Sequence, residues 1–201
     1  MTPRIFPNWH ELYDQQPVEG MPWYYPGLDP DLERALALHG LREGRLMDLG
    51  TGPGTQAIAL AERGFEVTGS DLSAGAVAHA TRRSAGLQAK LDFVQDDVLD
   101  SRVNGTFDIV FDRGCFHVFA PHDRPRYASQ LAKWLRPGGW LFLKCFSHEQ
   151  PGDFGPYRLT PAEIEGTFRS SFESIAIETT VYQGTMNPLP IALFCTLRRG
   201  S

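Results

Sequence analysis

The chain has 201 residues, 42% of them hydrophobic and 21% charged, enough for one well-buried domain and short for two. A formal net charge of −5 without any lysine or arginine run argues against nucleic acid as a partner, because a phosphate backbone asks for a basic stripe. Three cysteines without metal-ligand spacing, no apolar run of the roughly 18 residues a membrane span needs, and no signal-peptide core at the start make a cytoplasmic protein with no membrane partner the expectation.

Residues 1–30 read as an aromatic arm carrying Phe6, Trp9, Tyr13, Trp23, Tyr24 and Tyr25, with prolines that forbid a long helix. Asn8 suits the cap of a short helix. Such an arm staples itself to the core, folds over a ligand as a lid, or does both. Asp29-Pro30 then starts a helix whose stripe of Leu32, Ala35 and Leu36 ends at Gly40, opening a domain over residues 31–201.

The stretch 45–54 organises the rest. Leu46, Met47 and Leu49 suit a strand buried on both faces, Gly50, Gly52 and Gly54 form a glycine-rich loop, and residues 55–63 are good helix formers closed by Gly64. Such a loop lets a ligand lie against bare backbone near a helix N-terminus. A second strand over 65–70 ends in Asp71, 21 residues beyond Gly50, where a carboxylate meets ribose hydroxyls in doubly wound folds. The spacing G-x-G-x-G places Thr55 where a dinucleotide fingerprint wants its third small residue, which speaks against a nicotinamide cofactor.

Ser73 caps a further helix reaching toward Gly86, and Leu91, Phe93 and Val94 make a third strand that breaks at Asp96-Asp97-Val98. A fourth strand, 107–111, leads into Asp112-Arg113-Gly114-Cys115-Phe116-His117, a loop expected beside the reacting end of a ligand. There Arg113 is a fork of donors suited to a carboxylate, and His117 is either a base or substrate-orienting group or a histidine satisfied within its loop. Cys115 reads as packing, as a lone cysteine usually is. A helix over 124–135 ends at Pro137-Gly138-Gly139, a fifth strand covers 140–146, and the aperiodic stretch 147–158 is expected to line an acceptor pocket. Thr160-Pro161-Ala162-Glu163 is a capping box, and strands over 174–182 and 191–197 close the chain as an antiparallel pair.

The glycine loop resembles motif I of the class I S-adenosylmethionine-dependent methyltransferases. Trp9 and Trp23, Asp112-Arg113-Gly114, Pro121-His122-Asp123-Arg124, Tyr127-Ala128 and Gly155-Pro156-Tyr157 resemble the thiopurine methyltransferase-like and tellurite-resistance-like group. The loop sequence and Asp71, where thiopurine methyltransferase has a glutamate, depart from that enzyme and weaken thiopurines as the substrate.

The resemblance implies an α/β fold, a doubly wound, mostly parallel seven-stranded Rossmann-like sheet with an antiparallel C-terminal strand. It implies S-adenosyl-L-methionine as cofactor, held by Trp9, Trp23, Leu49, Gly50, Thr51, Gly52, Asp71, Leu72, Asp97, Val98, Asp112 and Arg113. Asp97 and the backbone of Val98 would meet adenine, and Arg113 the methionyl carboxylate. Trp23, Arg113, His117 and Tyr157 would face a small acceptor, a thiol or other soft nucleophile, and no side chain is assigned as catalytic. The expected state is a monomer or weak dimer. The alternatives are a cofactor-binding sensor without turnover and an O- or N-methyltransferase of small molecules.

Overall fold

The computed structural model describes residue 4 and residues 6–200. The remaining residues at the start of the arm, on which the reading of the leader partly rests, and Ser201 lie outside them. Parallel strands β1 (Arg45–Leu49), β2 (Glu66–Asp71), β3 (Leu91–Gln95), β4 (Phe107–Arg113) and β5 (Leu135–Phe146) join β6 (Phe172–Val181) and β7 (Ile191–Arg199) in one sheet of order β3-β2-β1-β4-β5-β7-β6. Only β7 is antiparallel to its neighbours β5 and β6.

Sequence signals explain where the helices begin. Asn8 accepts from the His10 N–H at 3.1 Å at the head of α1 (Trp9–Gln15), and Asp29 from Asp31 at 3.0 Å at the head of α2 (Pro30–Leu38). Gly54, left-handed at φ +78°, opens α3 (Thr55–Ala61), and Ser73 caps α4 (Ala74–Arg83). After α5 (Arg124–Trp134), the Thr160 capping box is complete on α6 (Pro161–Phe168).

The helices cover both faces of the sheet, as a parallel sheet requires. On one face Tyr127, Leu131, Trp134, Ile164 and Phe168 pack with Val110, Leu141 and Leu143. On the other, Leu32, Leu36, Ala57 and Leu60 pack with Leu46, Ile109 and Phe142. A third cluster joins the arm to α4 through Tyr13, Val18, Met21 and Ala76.

The end of β4 and the start of β5 differ from the sequence reading in ways that bear on the site. β4 continues two residues farther, because Asp112 pairs in register with Leu49 and Leu143, and Arg113 with Lys144. β5 begins at once after α5, and Pro137-Gly138-Gly139 forms an irregularity inside it rather than a break. Gly139 sits so close to neighbouring chain that a Cβ there would lie 3.0 Å from the Asp108 carbonyl oxygen, which explains the glycine.

Candidate active site

The carboxyl ends of the parallel neighbours β1, β2, β3 and β4 lie along one edge of the sheet, where the glycine loop follows β1. Gly50 and Gly52 have φ of +68° and +53°, a region other residues enter at a cost. A Cβ on Gly50 would lie 3.1 Å from the Cys115 Cβ, and one on Gly52 would lie 2.7 Å from the Tyr13 hydroxyl. The loop is therefore bare toward both the β4 loop and the arm. Thr51 fixes its curvature, donating its N–H to the Ser70 carbonyl at 2.9 Å and its hydroxyl to the Asp48 carboxylate at 2.6 Å. Burial pushes the Asp48 carboxyl up to about 7, against the hydrogen bonds from Thr51 and Ala57.

Asp71 stands at the end of β2 beside this loop. Its Oδ2 accepts from the Gly52 N–H and its Oδ1 from the Ser73 N–H, both at 2.9 Å. A carboxylate has about four lone-pair sites, so acceptor capacity remains for a vicinal diol. Burial raises its pKa while those N–H bonds oppose the rise. Leu72 next to it is half-exposed. Asp97 caps a short 3-10 turn through Leu99, and Val98 is buried against the core, so only its backbone is open to a ligand. Bare backbone, a diol-ready carboxylate and a neighbouring acidic turn fit an adenosyl group, and no feature of the loop cradles a pyrophosphate.

Decisive support comes from relatives. The methyltransferase domain family matches residues 46–139. A probable thiol methyltransferase 2 from Arabidopsis thaliana is 30% identical over 159 residues, covering 78% of this chain and 70% of that protein. The chain belongs to the S-adenosylmethionine-dependent methyltransferases. Thiocyanate methyltransferase 1 of Arabidopsis thaliana is 26% identical over 174 residues, 85% of this methyltransferase and 75% of the relative. A solved structure concerned with conversion of a disulfide bond into a thioacetal group during echinomycin biosynthesis shares the fold, with a TM-score of 0.80 at 24% identity, covering 94% of this chain and 90% of the other.

Beyond β4 the structure departs from the expected cofactor contacts. Asp112 lies inside the methyltransferase sheet, wholly buried, with Oδ1 accepting from the Cys115 N–H at 2.7 Å and Oδ2 from the Phe116 N–H at 2.8 Å and the Tyr127 hydroxyl. It shapes the loop from within the sheet, because β4 runs two residues longer than its apolar pattern suggests. Arg113, expected at a carboxylate of the cofactor, is engaged by protein: Nε donates to Asp29 at 2.9 Å, Nη1 to the Trp23 carbonyl at 2.9 Å and Nη2 to the Gln183 carbonyl at 2.5 Å.

His117 is equally committed. Its Nδ1 accepts the Phe146 N–H at 3.0 Å, its ring stacks on Tyr182 with centroids 5.9 Å apart, and burial, reinforced by Arg113, lowers its pKa to about 3. The imidazole is thus tied to the backbone at the end of β5, outside its own loop. Burial pushes the Cys115 thiol well up, away from the nucleophilic thiolate. Tyr157 is buried, and its N–H donates to the His117 carbonyl at 2.8 Å.

The arm lies against the glycine loop through its rings. Trp9 and Trp23 meet edge-on at 5.8 Å, and the Trp23 Nε1–H donates to the Tyr13 hydroxyl at 3.3 Å, directly above Gly52. On the other side Phe6 stacks on Trp9 at 6.4 Å and leans on Tyr157 at 6.3 Å. A continuous line of rings thus runs from the glycine loop to the 147–158 loop.

Sequence reading missed four participants. Tyr13 was visible as the residue one helical turn after Trp9, and Asp48 as a lone acid in an apolar strand. Lys144, fully buried in β5, donates to Asp29 and Asp31 at 2.7–2.9 Å and to the Gln183 side chain at 2.5 Å. The lysine signalled itself as a charge inside a hydrophobic run, whereas Gln183 gave no signal.

Proposed function

We propose that this methyltransferase acts on a small acceptor whose attacking atom is a soft nucleophile that arrives already ionised, a thiolate in the first instance. The state of His117 carries this reading. A base with a pKa near 3 takes a proton from a thiol or phenol very poorly, since general-base catalysis works best near the operating pH. The other groups around the β4 loop are committed too: Asp112 to three donors, and the Tyr182 hydroxyl to the Arg113 carbonyl at 2.6 Å. Relatives named for thiol and thiocyanate methylation point to the same acceptor class.

The cofactor would rest on Gly50 to Gly54, with its ribose at Asp71, its adenine at Asp97 and the Val98 backbone, and Tyr13, Trp9 and Trp23 above. When bound, S-adenosylmethionine supplies a methyl group on a sulfonium centre. The chain's part is to align the acceptor and exclude water, and such positioning supplies roughly 7–11 kcal/mol of barrier reduction when geometry is well held. Arg124 lies beside the line of rings: its guanidinium is 5.3 Å over the Tyr157 ring, its Nη1 pairs with Glu163 at 3.3 Å, and its buried Nη2 has no hydrogen-bond partner in the structure, so a polar group of the acceptor could meet it there.

The test is S-adenosylhomocysteine formation with aromatic thiols of graded pKa and their phenol and aniline counterparts. Thiols should dominate, and the rising limb of kcat/KM with pH should move with the pKa of each thiol. A limb that stays at one pH across the series would reveal an enzyme base and overturn this reading.

A further inference from the structure

Arg113 lies at the end of β4 in the position where a cofactor contact was expected, yet its surroundings describe another task. Its side chain is 8% exposed, and each of its three nitrogens already donates to protein. Its charge is also matched. Arg113, Lys144 and Arg34 face Asp29, Asp31 and Glu178, three cations against three carboxylates, so no external anion is needed for neutrality. The guanidinium carbon lies over the rings of Tyr182, at 4.6 Å, and Tyr25, at 5.9 Å.

Its three hydrogen-bond partners are Trp23 in the arm, Asp29 at the head of α2 and Gln183 after β6. The segment after β6 grips the arm independently. The Thr185 N–H donates to the Pro22 carbonyl at 3.1 Å and its hydroxyl to the Met21 carbonyl at 3.3 Å. Arg113 thus closes a clasp around residues 21–23, and the clasped residue, Trp23, aims its indole N–H at the Tyr13 hydroxyl over Gly52.

We propose that Arg113 is a positioning residue that fastens the arm shut over the glycine loop and does not touch the cofactor. The inference rests on the cofactor family and not on the class of acceptor. Its consequence is specific. Loss of the clasp weakens every ligand that the arm covers, whether or not that ligand carries a carboxylate.

The experiment compares wild type with Arg113→Met and Arg113→Lys by calorimetric binding of S-adenosylhomocysteine and of 5′-methylthioadenosine, which keeps the adenosyl group and lacks the aminocarboxylate. Backbone hydrogen exchange over residues 9–25 is followed in the cofactor-free protein. The expected result is that both ligands weaken by the same factor, about tenfold for Arg113→Met, and that exchange in the arm quickens. Weakening of S-adenosylhomocysteine alone, with methylthioadenosine and arm exchange unchanged, would make Arg113 a carboxylate contact and overturn the proposal. Unchanged binding of both ligands would overturn it equally. Should Arg113→Met fail to fold, Arg113→Lys keeps a charge against Asp29 while losing the fork, and the same comparison applies. None of these outcomes depends on finding the acceptor.

Discussion

Asp48 and His117 are buried ionisable groups, and burial disfavours the charged form of each, with opposite consequences for stability. For Asp48, the folded value of about 7 stands above the unfolded 3.8, so between these pH values the folded chain holds a proton that the unfolded chain has lost. Stability falls as pH rises through that window, and Asp112, raised to about 6, contributes in the same direction. For His117, the folded value of about 3 lies below the unfolded 6.5, so the unfolded chain binds the extra proton and stability falls as pH drops from 6.5 toward 3. The Asp48→Asn variant should lose part of the alkaline decline. Whatever constant offset the amide brings, its stability relative to wild type should rise between pH 4 and 7 by on the order of a few kcal/mol, read from urea unfolding at stepped pH. A difference that stays flat across this range would mean that Asp48 is ionised in the folded chain.

At the scale of elements, the arm and the glycine loop pack face to face, and each depends on the other's shape. Gly52 must lack a Cβ because the Tyr13 hydroxyl occupies that space, while Tyr13 is held there by Trp23 and by the packing of α1 on α4. Replacing Trp9 and Trp23 together by alanine should weaken cofactor binding and raise the KM for the acceptor by about tenfold or more, with kcat falling as water enters. The melting temperature should move little, because Trp23 is only half-buried and neither ring belongs to the two main cores. Unchanged binding and turnover would assign the rings to packing alone. Most of these elements were legible in sequence. Strand, loop and helix at 45–61 announce themselves through glycine spacing and helix propensity, and the Thr160 capping box through four residues. What could not be read was the environment of Asp112, Arg113 and His117, because strand length and long-range partners decide whether a polar side chain faces a crevice or the inside of the sheet. The side-chain and backbone partners of Arg113 come from positions 23, 29 and 183, and no local pattern links them.

For the molecule as a whole, the strand order sets β1, β2 and β3, where the proposed reading puts the cofactor, beside β4 and β5, where it puts the acceptor, and the rings of the arm reach from Trp23 to Tyr157. No helix among the described residues is long and apolar enough to cross a membrane. A ligand that bridges the glycine loop and the arm binds only the folded chain, so it stabilises the fold by mass action. S-adenosylhomocysteine at 100 times its Kd should add about 2.7 kcal/mol, and at roughly 2–4 °C per kcal/mol for a chain of this size the melting temperature should rise by about 5–10 °C. A dinucleotide such as NAD should give no shift at the same concentration, since the loop offers bare backbone and a diol acceptor but nothing shaped for a pyrophosphate. Protection by the dinucleotide and not by S-adenosylhomocysteine would reverse the assignment of the glycine loop. Equal protection in wild type and in the double tryptophan variant would locate the binding energy in the glycine loop alone, so one melting series separates the contribution of the loop from that of the arm.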